Sequence, residues 1–211
     1  MTAQISDVVV YRGRPHGIAG VNGSGLFDPR EHGIRPTMIS TACWRGYHCT
    51  YEVAEGCLLL TTVNLGLGPE DQAAAERGEG PQLFGRVPRR YTVHGHRKDL
   101  RTGEVRTSWE SSDFLCDGLR EPVPFSGGLL LGGDFIPELY VHMGFHPAWK
   151  FREVHELLFE KGRVVREADR SAEMAEFREM VAGLPLGPTD PDNREEVKRW
   201  VERCFNLDYK W

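Results

Sequence analysis

Residues 36–66 read PTMISTACWRGYHCTYEVAEGCLLLTTVNLG, from Pro36 to Gly66. From Tyr47 to Val53 the residues Tyr47, Cys49, Tyr51 and Val53 alternate with His48, Thr50 and Glu52. Alternation with period two puts one set on a buried face of a strand and the other on a wetter face. Glu55-Gly56 then separates this run from a second one, Cys57 to Val63. A glycine at the second central position readily takes positive φ, so the pair reads as a tight hairpin turn. The return run is nearly continuous in apolar residues, which suits a strand covered on both faces.

The same patterns extend outward along the chain. Asp7 to Arg12 reads as a first strand. Gly13 to Arg35 is rich in Gly and Pro, has no period, and reads as a long surface connection. Its segment Gly20 to Gly25 lacks the Lys-Ser/Thr of a phosphate loop. Pro69 to Arg77 reads as a short helix, with Pro69 suited to its first position. Arg90 to Glu110 reads as a polar hairpin turning at Arg101 to Glu104, with one face in solvent or the whole hairpin outside the main sheet. Pro122 to Pro137 reads as a strand with flanking turns or as a compact loop. Leu139 to Phe145 reads as another strand, with Val141, Met143 and Phe145 on the buried face and Tyr140, His142 and Gly144 on the other. Phe151 to Val165 reads as a final hairpin turning at Lys161-Gly162.

The period changes after Ala168. Met174, Phe177, Val181 and Leu184 fall at helical spacing, with Asp169 or Ser171 to cap the start and Gly183 to end the helix. A second helix is expected from Asp190-Pro191, with Val197, Trp200, Val201, Cys204 and Leu207 as its apolar stripe. The fold class expected is α+β. A mainly antiparallel, barrel-like β domain over 1–167 carries a C-terminal helical pair, 168–211, as part of one domain over 1–211.

Composition narrows the function. The chain has 211 residues and a net charge of −5, from 26 basic and 31 acidic residues. Interspersed charge of that balance argues against a general nucleic-acid binder. No apolar run reaches the length of a membrane span and no secretory leader is evident, so a cytoplasmic protein without membrane association is expected. Five cysteines, none in a C-x-x-C pair, fit small buried side chains in a reducing compartment.

Candidate chemistry is sparse. His94 with His96 and His142 with His146 have spacings that share a strand face, and His155 lies between Glu153 and Glu156. None of this follows H-E-x-x-H, and no third converging ligand is evident, so neither metal nor cofactor is expected. No G-x-S-x-G elbow or dinucleotide fingerprint occurs. What remains is Trp44, Arg45 and Tyr47 beside Gly46, and Tyr140 with His142. An arginine among aromatics can stack and still offer its donor fork to an anion.

These two motifs, Ser40 to Tyr47 (STACWRGY) and Tyr140 to Gly144 (YVHMG), resemble an uncharacterised bacterial protein family. The resemblance covers the motifs and the hairpin after the second, and it implies no activity.

The functional expectation is a binding protein that recognises a small polar or anionic ligand, or a partner protein, through Trp44, Arg45, Tyr47, Tyr140 and His142. One alternative is an enzyme using His142, with Tyr140 or Glu156, for acid–base chemistry. Another is an immunity-type or assembly protein docking a partner through its hairpins. Arg45 is expected close to Leu139–Phe145, on the Tyr140 and His142 side. Oligomeric state is left open.

Overall fold

The computed structural model describes residues 2–98, 101–183 and 192–209. The chain is α+β, with a large, mainly antiparallel sheet. Its strands begin with β1 (Val8–Tyr11), β2 (Arg14–Ser24), β3 (Tyr47–Ala54) and β4 (Cys57–Leu65). After helix α1 (Pro69–Glu76) come β5 (Thr92–Lys98), β6 (Val105–Glu110), β7 (Phe114–Cys116), β8 (Glu121–Pro122) and β9 (Ser126–Phe135). The hairpin β10 (Phe151–Glu160) and β11 (Arg163–Asp169) leads to α2 (Ser171–Met180) and α3 (Arg194–Cys204). Among the described residues no helix is long and apolar enough to cross a membrane.

Contacts divide the chain into two compact units. The first comprises Met1–Phe27, Cys49–Thr61 and Arg120–Trp211. Its strands run in the order β11-β10-β9-β2-β1-β3-β4, with β8 paired to β4. Arg163 of β11 also pairs with Cys57 of β4, so the sheet closes on itself. All these pairings are antiparallel except β1 with β3, where Val9 lies opposite Tyr51. Closure removes the exposed edges that an open sheet must protect.

Each face of this sheet has its own core. Val9, Ile18, Tyr51, Leu129, Leu131 and Leu157 are almost fully buried. On the opposite face Ala19, Leu130 and Val154 pack with Ala148 and with Met174 of α2. Ile18 and Ala19, Leu130 and Leu131, and Val154 and Leu157 therefore divide between the two faces as strand alternation requires. The C-terminal helices belong to this unit. Arg178 of α2 donates to the carbonyls of Trp149 and Phe151 at 2.8 and 2.7 Å. The Cys204 carbonyl, ending α3, accepts from Phe145 N at 2.7 Å.

The second unit comprises Asp28–His48 and Thr62–Leu119. Here the end of β4 pairs with β7, Val63 lying opposite Cys116. The β5–β6 hairpin forms a separate two-stranded sheet, as its polar arms imply. Helix α1 sits where Pro69 marks its start.

Four expectations need correction. Gly13 to Arg35 is not a loop: β2 occupies eleven of its residues and lies between β1 and β9. Its turn, Arg12-Gly13, has φ of 52° and 73°, the same residue-then-glycine form as Glu55-Gly56 and Lys161-Gly162. Leu139 to Phe145 is not a strand. Pro137–Leu139 is a 3-10 turn, and the chain then bends until Gly144 bridges Ala3. Met143 N donates to Val141 O at 2.8 Å, so the segment turns on itself and no sheet ladder forms. Helix α2 ends at Met180, ahead of Gly183. Helix α3 is capped by Asn193, which accepts from Glu196 N. The expected start at Asp190-Pro191, the Leu184 contact and Trp211 lie outside the described residues.

Candidate functional site

Strand alternation and one glycine bring four polar side chains together on the Ile18–Leu131–Leu157 face of the first unit. His16 is two residues before Ile18 on β2, and Glu153 and His155 are four and two before Leu157 on β10. Tyr11, at the end of β1, completes the group. Its ring centroid lies 5.3 Å from His155 and 6.1 Å from His16, and the two imidazoles are 5.6 Å apart.

His16 is the most constrained member. Its side chain is 2% exposed. Its Nδ1 lies 2.9 Å from the Arg14 carbonyl, which can only accept, so Nδ1 carries the proton. In the neutral ring Nε2 is therefore a bare lone pair, and it has no hydrogen-bond partner. It faces Glu153 Oε1 at 3.6 Å. His155 Nε2 reaches that oxygen at 3.0 Å. The Arg14 guanidinium grips the same carboxylate, at 2.9 Å from Oε2 and 3.2 Å from Oε1. The His155 hydrogen bond, and after it the charge of the Arg14 guanidinium, hold the Glu153 carboxyl below its usual range.

Gly133 of β9 lets His16 and Glu153 pack close against the strand. A Cβ there would lie 3.0 Å from His16 Cδ2, 3.3 Å from His16 Nε2 and 3.2 Å from Glu153 Oε2. Tyr11 gives its hydroxyl to Glu167 at 2.7 Å. Burial, and then Glu167, push that phenol up to about 12, so it stays protonated at neutral pH.

The residues singled out from sequence stand elsewhere. Trp44, Arg45 and Tyr47 belong to the second unit and Tyr140 and His142 to the first. Arg45 stacks over the Tyr47 ring at 4.7 Å and its Nε donates to the Tyr47 carbonyl at 2.6 Å. Gly46 leaves no open room, because its missing Cβ position is filled by the Thr37 backbone. Tyr140 and His142 do meet, Tyr140 Oη lying 3.0 Å from His142 Nδ1, and both are exposed. The space at Gly144 is taken by the Cys204 carbonyl. Glu156 is buried and occupied: Arg170 donates to it at 2.7 and 3.0 Å, and so does the Tyr209 hydroxyl. Its lone pairs serve the anchoring of α2 and the C-terminal segment.

The sequence hides His16, because Pro15 and the glycines of β2 mask the alternation of its strand. Glu153 and His155 were seen, but their two-residue spacing on β10 was not read as one face. His16 supplies the third converging group. No family model matches the chain, and neither a curated protein nor a solved structure matches it.

Proposed function

We propose that this is a small-molecule-binding protein whose site is the His16–Glu153–His155–Tyr11 cluster, with a small carboxylate-bearing molecule as its ligand. The observation that carries this reading is the buried, unpartnered Nε2 of His16, which the missing side chain of Gly133 allows to pack beside Glu153. An unsatisfied polar atom in a packed interior costs about 1–3 kcal/mol. Such an atom calls for a partner, and a ligand that brings a hydrogen-bond donor to Nε2 beside its carboxylate supplies one. Arg12 and Arg14, both largely exposed, supply positive charge beside the cluster for an anionic group.

The experiment is a screen of small carboxylates by NMR on the labelled 211-residue chain, alongside Gly133→Val. Binders are expected to shift the resonances of His16, Gly133 and His155, and to lose affinity in Gly133→Val. Binders that shift only Arg45 and Tyr47, or only Tyr140 and His142, would move the site to those residues.

A further inference from the structure

We infer that His16, Glu153 and His155 form a centre for one divalent first-row transition metal of the zinc type. The inference rests on the binding reading just given and deepens it: the ion would be the group that captures the ligand's carboxylate.

Distances carry the argument. Bonds of about 2.0–2.1 Å at tetrahedral angles put neighbouring ligand atoms about 3.3 Å apart. Glu153 Oε1 lies 3.0 Å from His155 Nε2 and 3.6 Å from His16 Nε2, on either side of that spacing. All three ligand atoms fall within 4.8 Å of one another. The ion would take the place of the His155–Glu153 hydrogen bond and enter the gap before His16.

The chemistry of the donors favours a cation over its rivals. With Nδ1 turned to the Arg14 carbonyl, His16 Nε2 and the Glu153 carboxylate opposite it at 3.6 Å need a proton or a metal ion between them. The Nδ1 bond to the Arg14 carbonyl fixes the ring orientation and tautomer, the second-layer arrangement found behind metal-binding histidines. Two imidazole nitrogens and one carboxylate suit zinc, cobalt or ferrous iron, whereas magnesium and calcium prefer all-oxygen sets. Three protein ligands would leave the fourth position of a tetrahedral ion for the ligand's carboxylate.

The test uses the untagged 211-residue chain stripped with chelator. Zinc chloride is titrated by calorimetry at pH 7.5, cobalt chloride by visible absorption, and magnesium and calcium chlorides serve as controls. One zinc per chain is expected, with cobalt giving ligand-field bands and neither control ion competing. Glu153→Gln and His155→Gln, at partly exposed positions that leave the apolar core intact, should each weaken zinc by about tenfold or more. His16→Ala should do the same, and His94→Ala should change nothing. Absence of zinc binding overturns the inference, as does binding that survives both Glu153→Gln and His155→Gln. If zinc fails while carboxylates still shift His16 and Gly133, the metal is excluded and the binding reading stands. If zinc binds as described while no carboxylate shifts the site, the metal stands and that reading fails.

Discussion

Nε2 of His16 stops 3.6 Å from Oε1 of Glu153, beyond hydrogen-bond range, with no other partner for the buried nitrogen. Packed interiors rarely leave such a gap beside a polar atom. The gap persists because β9 carries glycine at 133, where any other residue would place a Cβ against both groups.

Gly133→Ala tests that spacing on stability alone. Less freedom in the unfolded chain would favour alanine by about 0.4–1 kcal/mol. Contacts of 3.0–3.3 Å to His16 and 3.2 Å to Glu153 oppose it. Overpacking of a filled site costs about 1–3 kcal/mol, so net destabilisation of about 1 kcal/mol is expected in urea unfolding. A stabilised variant would mean that the space is slack.

Glu156, Arg170 and Tyr209 form a second testable unit. Burial alone would raise the Glu156 carboxyl, but hydrogen bonds from Tyr209 and Arg170 outweigh it and hold it below its ordinary 4.5. The folded chain thus refuses a proton that the unfolded chain accepts. This stability is fully present above pH 4.5 and is lost as pH falls through the lower folded value. Tyr209→Phe should cost about 1–2 kcal/mol at pH 7, with a shallower acid limb in denaturant titrations. Unchanged stability at pH 7, with an unchanged acid limb, would remove Tyr209 from the fold's support.

His142→Ala and Tyr140→Phe should each change stability by no more than about 0.5 kcal/mol, because both residues are exposed and bond chiefly to each other. Arg45→Ala should cost about 1 kcal/mol, since the guanidinium both stacks on Tyr47 and ties down its carbonyl. Chemical denaturation of the three variants decides whether Arg45 is structural and the other pair is not.

How far the sequence revealed this molecule depends on which signal each element used. Tyr47–Ala54 and Cys57–Leu65 alternate cleanly around a residue-Gly turn, and that hairpin was legible. β2 was not, because Pro15 and the glycines at 17, 20 and 23 break its pattern. Those glycines answer to neighbours distant in sequence: a Cβ at Gly20 would meet the Asp208 carbonyl, and one at Gly23 the Ser126 backbone. Leu139–Phe145 failed in the opposite sense. It alternates like a strand, yet Gly144, at φ +63°, turns the chain toward Cys204. The candidate site was half legible. Glu153-x-His155 is a period-two pair on a correctly read strand, but its partner lay on the strand that glycine disguised.

The last prediction concerns His146, which no functional reading uses. Its ring packs against Phe135 at 4.7 Å and Tyr140 at 5.3 Å, and its Nδ1 is buried with no partner. Burial, and then the nearby Lys150 charge, lower its pKa from 6.5 to about 4. The unfolded chain therefore binds a proton near pH 6.5 that the folded chain refuses until about pH 4. Stability should be unaffected by this group above pH 6.5 and should decline as pH falls from 6.5 toward 4. That window lies mostly above the one assigned to Glu156, so the two effects separate. His146→Phe keeps the ring contacts and removes the titration. Its stability should stay flat between pH 6.5 and 4.5 while the native chain's falls, as read from urea midpoints at constant ionic strength. Parallel slopes in the two proteins would show that His146 is already charged in the folded state, and that its unpartnered nitrogen is reached by water.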